Sequence, residues 1–433
     1  MIDIKLIRET PDYIKQSILK KGVDCSNEID RIHELDVKRR ILITAGETDK
    51  AEQNKANKQI PQLKKAGMDT TEIFEQLNQL KEKIRINENE LREVEKELDE
   101  LMLSLPNPPD DDLVAGGKEN NEPVRYFGSP HSFDFDPKNH MDLCVDLGLI
   151  DYNRGVKLAG TGFWMYCGLG ARLEWALLNY FIDAHIADGY EFLLVPHMLE
   201  FQCGLAAGQF PKYADEVYRI ENPTDDRIHY MLPTAEAALA SVHRDEVLSE
   251  RDLPKKYFSY TPCFRREAGT YGSDERGMVR GHQFNKVEMF QYTTPEGSGD
   301  AFDELVTKAE TLVSELGFHF RTVKLAAGDC SKLMARTYDI EIQIPSMNGY
   351  KEVSSVSNAR CYQARRASAR FKRESTGKPE FMHTLNGSGL ATSRILPALA
   401  EQNQQKDGSI TVPEVLRKYL GGTEVIPAKN NRK

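Results

Sequence analysis

From Ile73 onward, apolar residues recur at Leu77, Leu80, Ile84, Leu91, Val94, Leu98, Leu101 and Leu105, three or four apart except where Asn87 takes the seam position. This heptad spacing predicts a helix over 71–104, about 50 Å long at ~1.5 Å per residue and too long to lie across a compact domain. Ahead of it, an extended start should lead into a helix from about Pro11 and a further helical stretch from near Ile29. From Asp36 to Ala66 the chain is polar and helix-forming, with a thin apolar stripe and basic residues at Lys38, Arg39, Arg40, Lys50, Lys55, Lys58, Lys64 and Lys65. Pro61 is expected to kink or interrupt this helix near its end. Gly67 offers a C-cap, and Asp69 with Glu72 a capping box for the next helix. Together these signals predict a projecting antiparallel helical hairpin, a coiled coil whose register Asn87 fixes. Leu105-Pro106-Asn107-Pro108-Pro109 ends it, so the domain boundary is placed between 1–109 and 110–433.

Beyond Tyr126 the pattern turns to mixed strands and helices. Residues 170–196 read as an amphipathic helix leading into an apolar strand that ends at Pro196, and a helix is expected near Asp300 to Leu316. Strands are expected from Phe318 to Arg360, and 383–404 reads as strand, glycine turn and helix. Strands following strands predict an α+β fold with an antiparallel-dominated sheet. No GxGxxG or GxxxxGK[ST] phosphate loop is present, which disfavours Rossmann and P-loop folds.

The stretch Phe264 to Glu288 stands out as strand-like ends around a loop rich in glycine and charge. By parity Arg265 and Glu267 share one face, as do Arg280, His282, Phe284 and Glu288. Such a face suits a polyanionic, aromatic ligand such as a nucleoside triphosphate, but taken alone it reads first as a solvated hairpin with cross-strand ion pairs. Composition narrows the setting. At 433 residues and 40% hydrophobic content the chain can bury a large core. No run of about 18 apolar residues appears and the start lacks the layout of a secretory signal, so a cytoplasmic protein away from membranes is expected. Seven scattered cysteines without metal spacing read as free thiols, with no zinc. A net charge of −10 argues against broad electrostatic binding to nucleic acid, DNA included, and leaves room for a local basic patch.

Several motifs together resemble a known family. GARLEWALLNYFIDAH through Pro196, the 264–288 hairpin, and GSGLATSR with its following helix resemble motifs 1, 2 and 3 of the class II aminoacyl-tRNA synthetases. LPTAE, FRREAG, RGHQFNKVE, YKEVSSVSN, YQARR, TLNGSGLA and VPEVLRKYLGG resemble, in order and nearly end to end, the bacterial-type seryl-tRNA synthetases. The resemblance implies a class II antiparallel sheet flanked by helices, a homodimer formed through motif 1, and a hairpin arm that grips tRNA(Ser). It also implies a ligase that joins L-serine to ATP as seryl-adenylate and passes the seryl group to tRNA.

By that resemblance Arg265 and Arg394 are the catalytic arginines. Arg265, Arg266, Glu267, Arg280, Phe284, Glu352, Val353, Ser354, Ser355 and Arg394 would bind ATP, with Arg265 on the α-phosphate and Phe284 under the adenine. Glu352 and Ser355 would hold Mg2+; their separation is not a same-face spacing in a regular strand, so a bulge or strand end is expected there. Thr234, Ala235, Glu236, Glu288, Thr384, Asn386 and Ser388 would form the serine pocket. His282 is expected to be a hydrogen-bonded structural residue. Ala207, Val356, Cys361 and the pair Thr392-Ser393 depart from the usual family sequence without removing a matched ligand. Two rivals stand beside this activity: a paralogue activating serine or a related amino acid for secondary metabolism or as a resistant second copy, and a non-catalytic tRNA-binding regulator.

Overall fold

The computed structural model describes residues 1–221, 227–267, 278–347 and 349–428. The chain divides into two compact units, Met1–Leu19 with Val23–Pro106, and Lys20–Gly22 with Asn107–Lys433.

The first unit contains helices α1 (Ile4–Glu9), α2 (Pro11–Leu19), α3 (Ser26–Lys65) and α4 (Thr71–Ser104). The start is helical where an extended segment was expected, because the Asp3 carboxylate accepts from the Lys5 amide and caps α1. Helix α3 runs unbroken for 40 residues with Pro61 inside it. Near a helix end, the single backbone bond that proline removes is a small loss against the packing of so long an element. Gly67 then takes a left-handed φ of 67°, and the Met68 amide donates to the Leu63 carbonyl at 3.0 Å, closing the helix as a Schellman turn. Asp69 does not form the expected capping box. Its Oδ1 accepts from the amide and hydroxyl of Thr71, two residues on, leaving Glu72 outside the motif.

Between α3 and α4 the α4 stripe buries Ile73, Leu80, Ile84, Val94, Leu98 and Met102. In the middle the seam turns polar. A Cβ added at Gly46 would lie 3.2 Å from Asn87 Oδ1, and the neighbouring buried Asp49 accepts from Lys83 Nζ at 3.0 Å. Ion pairs Arg31–Glu97, Lys38–Glu90, Arg39–Glu95 and Lys50–Glu88, at 2.7 to 2.9 Å, tie the helices together along their flanks.

The second unit is built on an eight-stranded sheet of β1 (Glu122–Phe127), β2 (Glu191–Phe192), β3 (Lys255–Phe264), β4 (Gln283–Thr293), β5 (Phe320–Lys324), β6 (Arg336–Ile344), β7 (Gly349–Arg360) and β8 (His383–Ala391). Their order is β1-β5-β6-β7-β8-β4-β3-β2, antiparallel throughout except for the parallel β2–β3 pair. Helices α5 (Leu169–Ala187), α6 (Ser298–Glu315) and α7 (Thr392–Gln402) share a continuous apolar core with the sheet. The apolar run to Pro196 forms only the two-residue β2; Leu194 beyond it is 75% exposed.

Gly387 and Gly389 lie within β8 and make no turn. A Cβ at Gly389 would come within 2.1 Å of His185 Nε2 on α5, so glycine is present here for close approach. His185 is buried and donates from Nε2 to the Gly389 carbonyl at 3.2 Å; burial pushes its pKa down to about 4, which keeps it neutral.

Candidate functional site

Strands β3 and β4 pair without interruption from Phe264–Gln283 to Lys255–Tyr292. One further hydrogen bond, from the Arg265 amide to the His282 carbonyl, carries the pairing past the strand ends. His282 Nδ1 donates to the Arg265 carbonyl at 3.0 Å, so its ring braces the hairpin. Residues 268–277 of the 264–288 stretch lie outside the described residues. Glu267 has left the extended conformation altogether, with φ of 48°, so strand parity does not place it. A 2.7 Å ion pair does: Arg280 Nη1 donates to Glu267 Oε2.

A cavity of about 100 Å³ lies against this hairpin, lined by Arg265, Glu267, Arg280, Phe284, Glu352, Val353, Ser388 and Arg394 among others. The Arg265 guanidinium stands 5.1 Å over the Phe284 ring and donates to the Pro233 carbonyl. Arg394, from the first turn of α7, donates to the Glu352 carbonyl at 2.7 Å and lies 3.3 Å from its carboxylate. Two expected members do not join them. Arg266 is exposed and donates to the Asp215 carbonyl, while Ser354 is buried and donates to the Ser388 carbonyl at 2.6 Å.

Val279, Arg280, Glu352 and Arg394 also border a larger cavity of about 380 Å³. Its wall is made by β6 and β7, where the ladder slips: Ile340 faces Ser354, but Glu341 faces Glu352, which leaves Val353 as the extra residue of a bulge. The bulge lets Glu352 and Ser355 line the same cavity despite their three-residue separation. Thr337, Asp339, Glu341 and Ser357 complete the wall. Sequence reasoning missed Asp339. It is buried opposite Ser355, its Oδ1 lacks a hydrogen-bond partner among the described residues, and burial, with Glu352 nearby, raises its pKa well above the carboxylate range. Among the described residues no group of three or more His, Cys, Asp or Glu side chains forms a metal-holding cluster.

The residues matched to a serine pocket gather around Glu288, and Ser388 among them also lines the smaller cavity. Glu288 faces Ser388 across β4 and β8, Asn386 Nδ2 donates to Glu288 Oε1 at 3.0 Å, and Thr234 lies 3.5 Å from Glu288 Oε2. Ala235 is fully buried and forms the N-cap of the short helix that begins with Glu236. Two residues that sequence reasoning passed over join this network. Lys286 is buried, with Nζ 2.5 Å from Glu288 Oε2 and 2.7 Å from Thr234 Oγ1. Gln363 donates to Glu236 Oε1 at 2.6 Å and accepts from Thr384 Oγ1 at 2.7 Å. Burial, then the charge of Glu288, raises Glu236 to about 7. Two buried carboxylates therefore face one lysine, an arrangement that favours one more cation.

Comparison with known proteins decides the family. A model of the seryl-tRNA synthetase N-terminal domain matches residues 1–109, and one of the class II tRNA synthetase core domain (G, H, P, S and T) matches 218–403. Serine--tRNA ligase 2 of Clostridium acetobutylicum is 55% identical over 423 residues, 97% of this chain and 99% of that protein. The chain belongs to the seryl-tRNA synthetases. Another member, the serine--tRNA ligase of Geobacillus kaustophilus, is 42% identical over 98% of this chain and 100% of its own. In structure, the seryl-tRNA synthetase of Pyrococcus horikoshii complexed with ATP superposes with a TM-score of 0.92 at 33% identity, covering 99% of this chain and 100% of that one.

Within this seryl-tRNA synthetase the departures from the family pattern are built into the packing. The Ala207 carbonyl accepts from Gln363, Cys361 Sγ accepts from Arg365 Nε at 3.3 Å, and Val356 is buried against Gly387. Thr392 donates to Glu174 Oε1 at 2.6 Å, and Asn285 donates to the same oxygen at 2.8 Å, so motif 1, β4 and α7 meet at one buried carboxylate.

Proposed function

We propose that this chain activates L-serine with ATP and transfers the seryl group to the 3′ end of tRNA(Ser). The observation that carries it is the placing of two buried carboxylates, Glu236 and Glu288, against one lysine, beside a cavity walled by Arg265, Phe284 and Arg394. The serine ammonium supplies the missing positive charge between Glu236 and Glu288. Thr384, Asn386 or Ser388 reads the substrate hydroxyl, and alanine is rejected because these buried polar groups would be left unpaired.

A serine carboxylate oxygen forms a bond to the α-phosphorus of ATP, and the bond from that phosphorus to the bridging oxygen breaks to release pyrophosphate. No protein nucleophile takes part. Arg265, now over Phe284, swings its planar fork onto the α-phosphate as the adenine stacks on that ring, while Arg280 and Arg394 hold the phosphate tail. A terminal ribose hydroxyl oxygen of tRNA then forms an ester bond to the seryl carbonyl carbon, and the bond from that carbon to the phosphate oxygen breaks. AMP leaves with that oxygen, while the hydroxyl proton passes to the leaving phosphate or to solvent.

The donor set of the larger cavity fits Mg2+: Glu352 and Ser355 are hard oxygen ligands on one wall, and Asp339 presents a further buried oxygen without a partner. Bound there, the cation neutralises charge on the phosphates. The arm is assigned to tRNA, since Lys55, Lys58 and Lys65 lie towards its tip, beyond the glutamate pairs. A homodimer through motif 1 is supported by the exposed Trp175, Ile186 and Leu194, and sedimentation tests it; a fully active monomer contradicts it. We place the enzyme in the cytoplasm; among the described residues no helix is long and apolar enough to cross a membrane.

Amino-acid-dependent pyrophosphate exchange tests the activity. Serine should support exchange, and alanine and threonine should not; no exchange with any amino acid sinks the proposal. A second reading, a supplementary copy of the enzyme, draws on the numbered name of the Clostridium acetobutylicum relative.

A further inference from the structure

Thr392, one of the departures from the usual family sequence, takes no part in the chemistry above, yet it is fully buried at the start of α7. Its Oγ1 lies 2.6 Å from Glu174 Oε1 and 3.2 Å from the Asn285 carbonyl. A hydroxyl has one proton to give, and the short contact to the carboxylate takes it. Asn285 Nδ2 donates to the same carboxylate oxygen at 2.8 Å, and Asn285 Oδ1 accepts from the Tyr260 hydroxyl at 3.3 Å, so both ends of that amide are held. Glu174 itself is buried. Burial raises its pKa, and the bonds from Thr392 and Asn285 work against that, so each donor matters to a charge with little solvent.

These bonds join two elements that the proposed site needs at a fixed spacing. Asn285 sits between Phe284 and Lys286 on β4 and by parity points to the strand's other face, while Arg394 follows Thr392 by two residues in the first turn of α7. The backbone fixes that spacing poorly. Just ahead of α7 the β4–β8 ladder slips: Lys286 faces Ala391 and Glu288 faces Ser388, so the single Val287 stands against both Gly389 and Leu390. No side chain caps the helix at Ala391 either. Glu174, reaching from α5, is the common acceptor that ties the start of α7 to β4.

We infer that Thr392 is a positioning residue for adenylate formation: through Glu174 and Asn285 its hydroxyl holds Arg394, on the phosphate tail, at a set distance from Phe284, under the adenine. The inference rests on the proposed ATP chemistry. Base and tail are two ends of one ligand, so a small shift of α7 against β4 still lets ATP bind but spoils the alignment of its α-phosphorus with the serine carboxylate. The loss falls on turnover more than on affinity.

The test compares Thr392→Val, which keeps the shape and removes the hydroxyl, with Thr392→Ser, which keeps the hydroxyl and removes a buried methyl. In serine-dependent pyrophosphate exchange, T392V should lower kcat about tenfold while the KM for ATP and for serine each move less than about threefold. T392S should restore kcat to within about twofold of the unaltered protein, although the lost methyl lowers its thermal midpoint. In a cycle with Glu174→Gln, T392V should cost less than it does alone, because the bond it removes is already weakened. Unchanged kcat in T392V overturns the inference. So does a tenfold loss in T392S, whether or not T392V folds, since activity would then follow packing and not the hydroxyl. Absence of exchange in the unaltered protein with any amino acid brings down the parent reading and this one with it.

Discussion

The helical arm and the sheet pocket use the same kinds of charged residue to opposite ends. On the arm, Lys38–Glu90 and Lys50–Glu88 are pairs about half exposed on both sides, where water screens the attraction and each contributes little. In the pocket, Lys286 and Glu288 are nearly inaccessible, and the second carboxylate, Glu236, is unbalanced. Exposed pairs tolerate exchange of partners. Buried ones fix a chemical specification, because a wrong occupant leaves a charge without solvent.

The sharpest way to break this contrast is to remove a pocket arginine. Arg265→Ala should lower serine-dependent pyrophosphate exchange by roughly a thousandfold, about 4 kcal/mol, while the thermal midpoint moves little. A fall below tenfold would return the 264–288 hairpin to a structural role. Next comes deletion of Asp36 to Ser104. It should leave exchange intact but weaken charging of tRNA about a hundredfold; charging at the full rate removes the arm from tRNA binding.

Smaller is the effect of pH through Glu236. Its carboxyl titrates near 7 in the free protein and is protonated below that, so serine, whose ammonium needs the anion, should bind about tenfold tighter as pH rises from 6 to 8. Glu236→Gln should flatten the profile. The sign for folding is the reverse of serine binding. The folded protein holds a proton that the unfolded chain releases near 4.5, so this group's contribution to stability falls as pH climbs from there through about 7. Denaturant titrations without serine check it. The smallest effect belongs to the arm surface: Lys38→Ala should cost under about 1 kcal/mol, and Asn87→Leu should raise the arm's melting temperature slightly without changing exchange.

Where one periodic pattern governed the outcome, the sequence was legible to the residue. The heptad predicted α4 over 71–104, and the spacing of Glu352 and Ser355 required the irregularity found at Val353. Elsewhere a local signal was overruled by distant partners. Pro61 was a poor breaker because packing carries α3, and Gly389 is explained by a histidine more than 200 positions earlier. Lys286 was invisible as a pocket residue, since its place between Thr234 and Glu288 exists only once β4 is seated against the 232–239 segment. Arg266 misled for the converse reason: it sits between two cavity residues in the chain but points to Asp215.

The slip at Val353 gives this region a particular vulnerability. An uninterrupted strand can offer a given side only every second residue, and here one inserted peptide unit allows the carboxylate at 352 and the hydroxyl at 355 to be used together. Excising Val353 would remove no polar side chain. It would put the strand back in phase with Glu352 and Ser355 still on one face, only Ser354 between them. A regular ladder that kept Val353 would instead turn Glu352, along with its hold on Arg394, out of the cavity, so that the chemistry of the site hangs on the register of the ladder as much as on the identity of its residues.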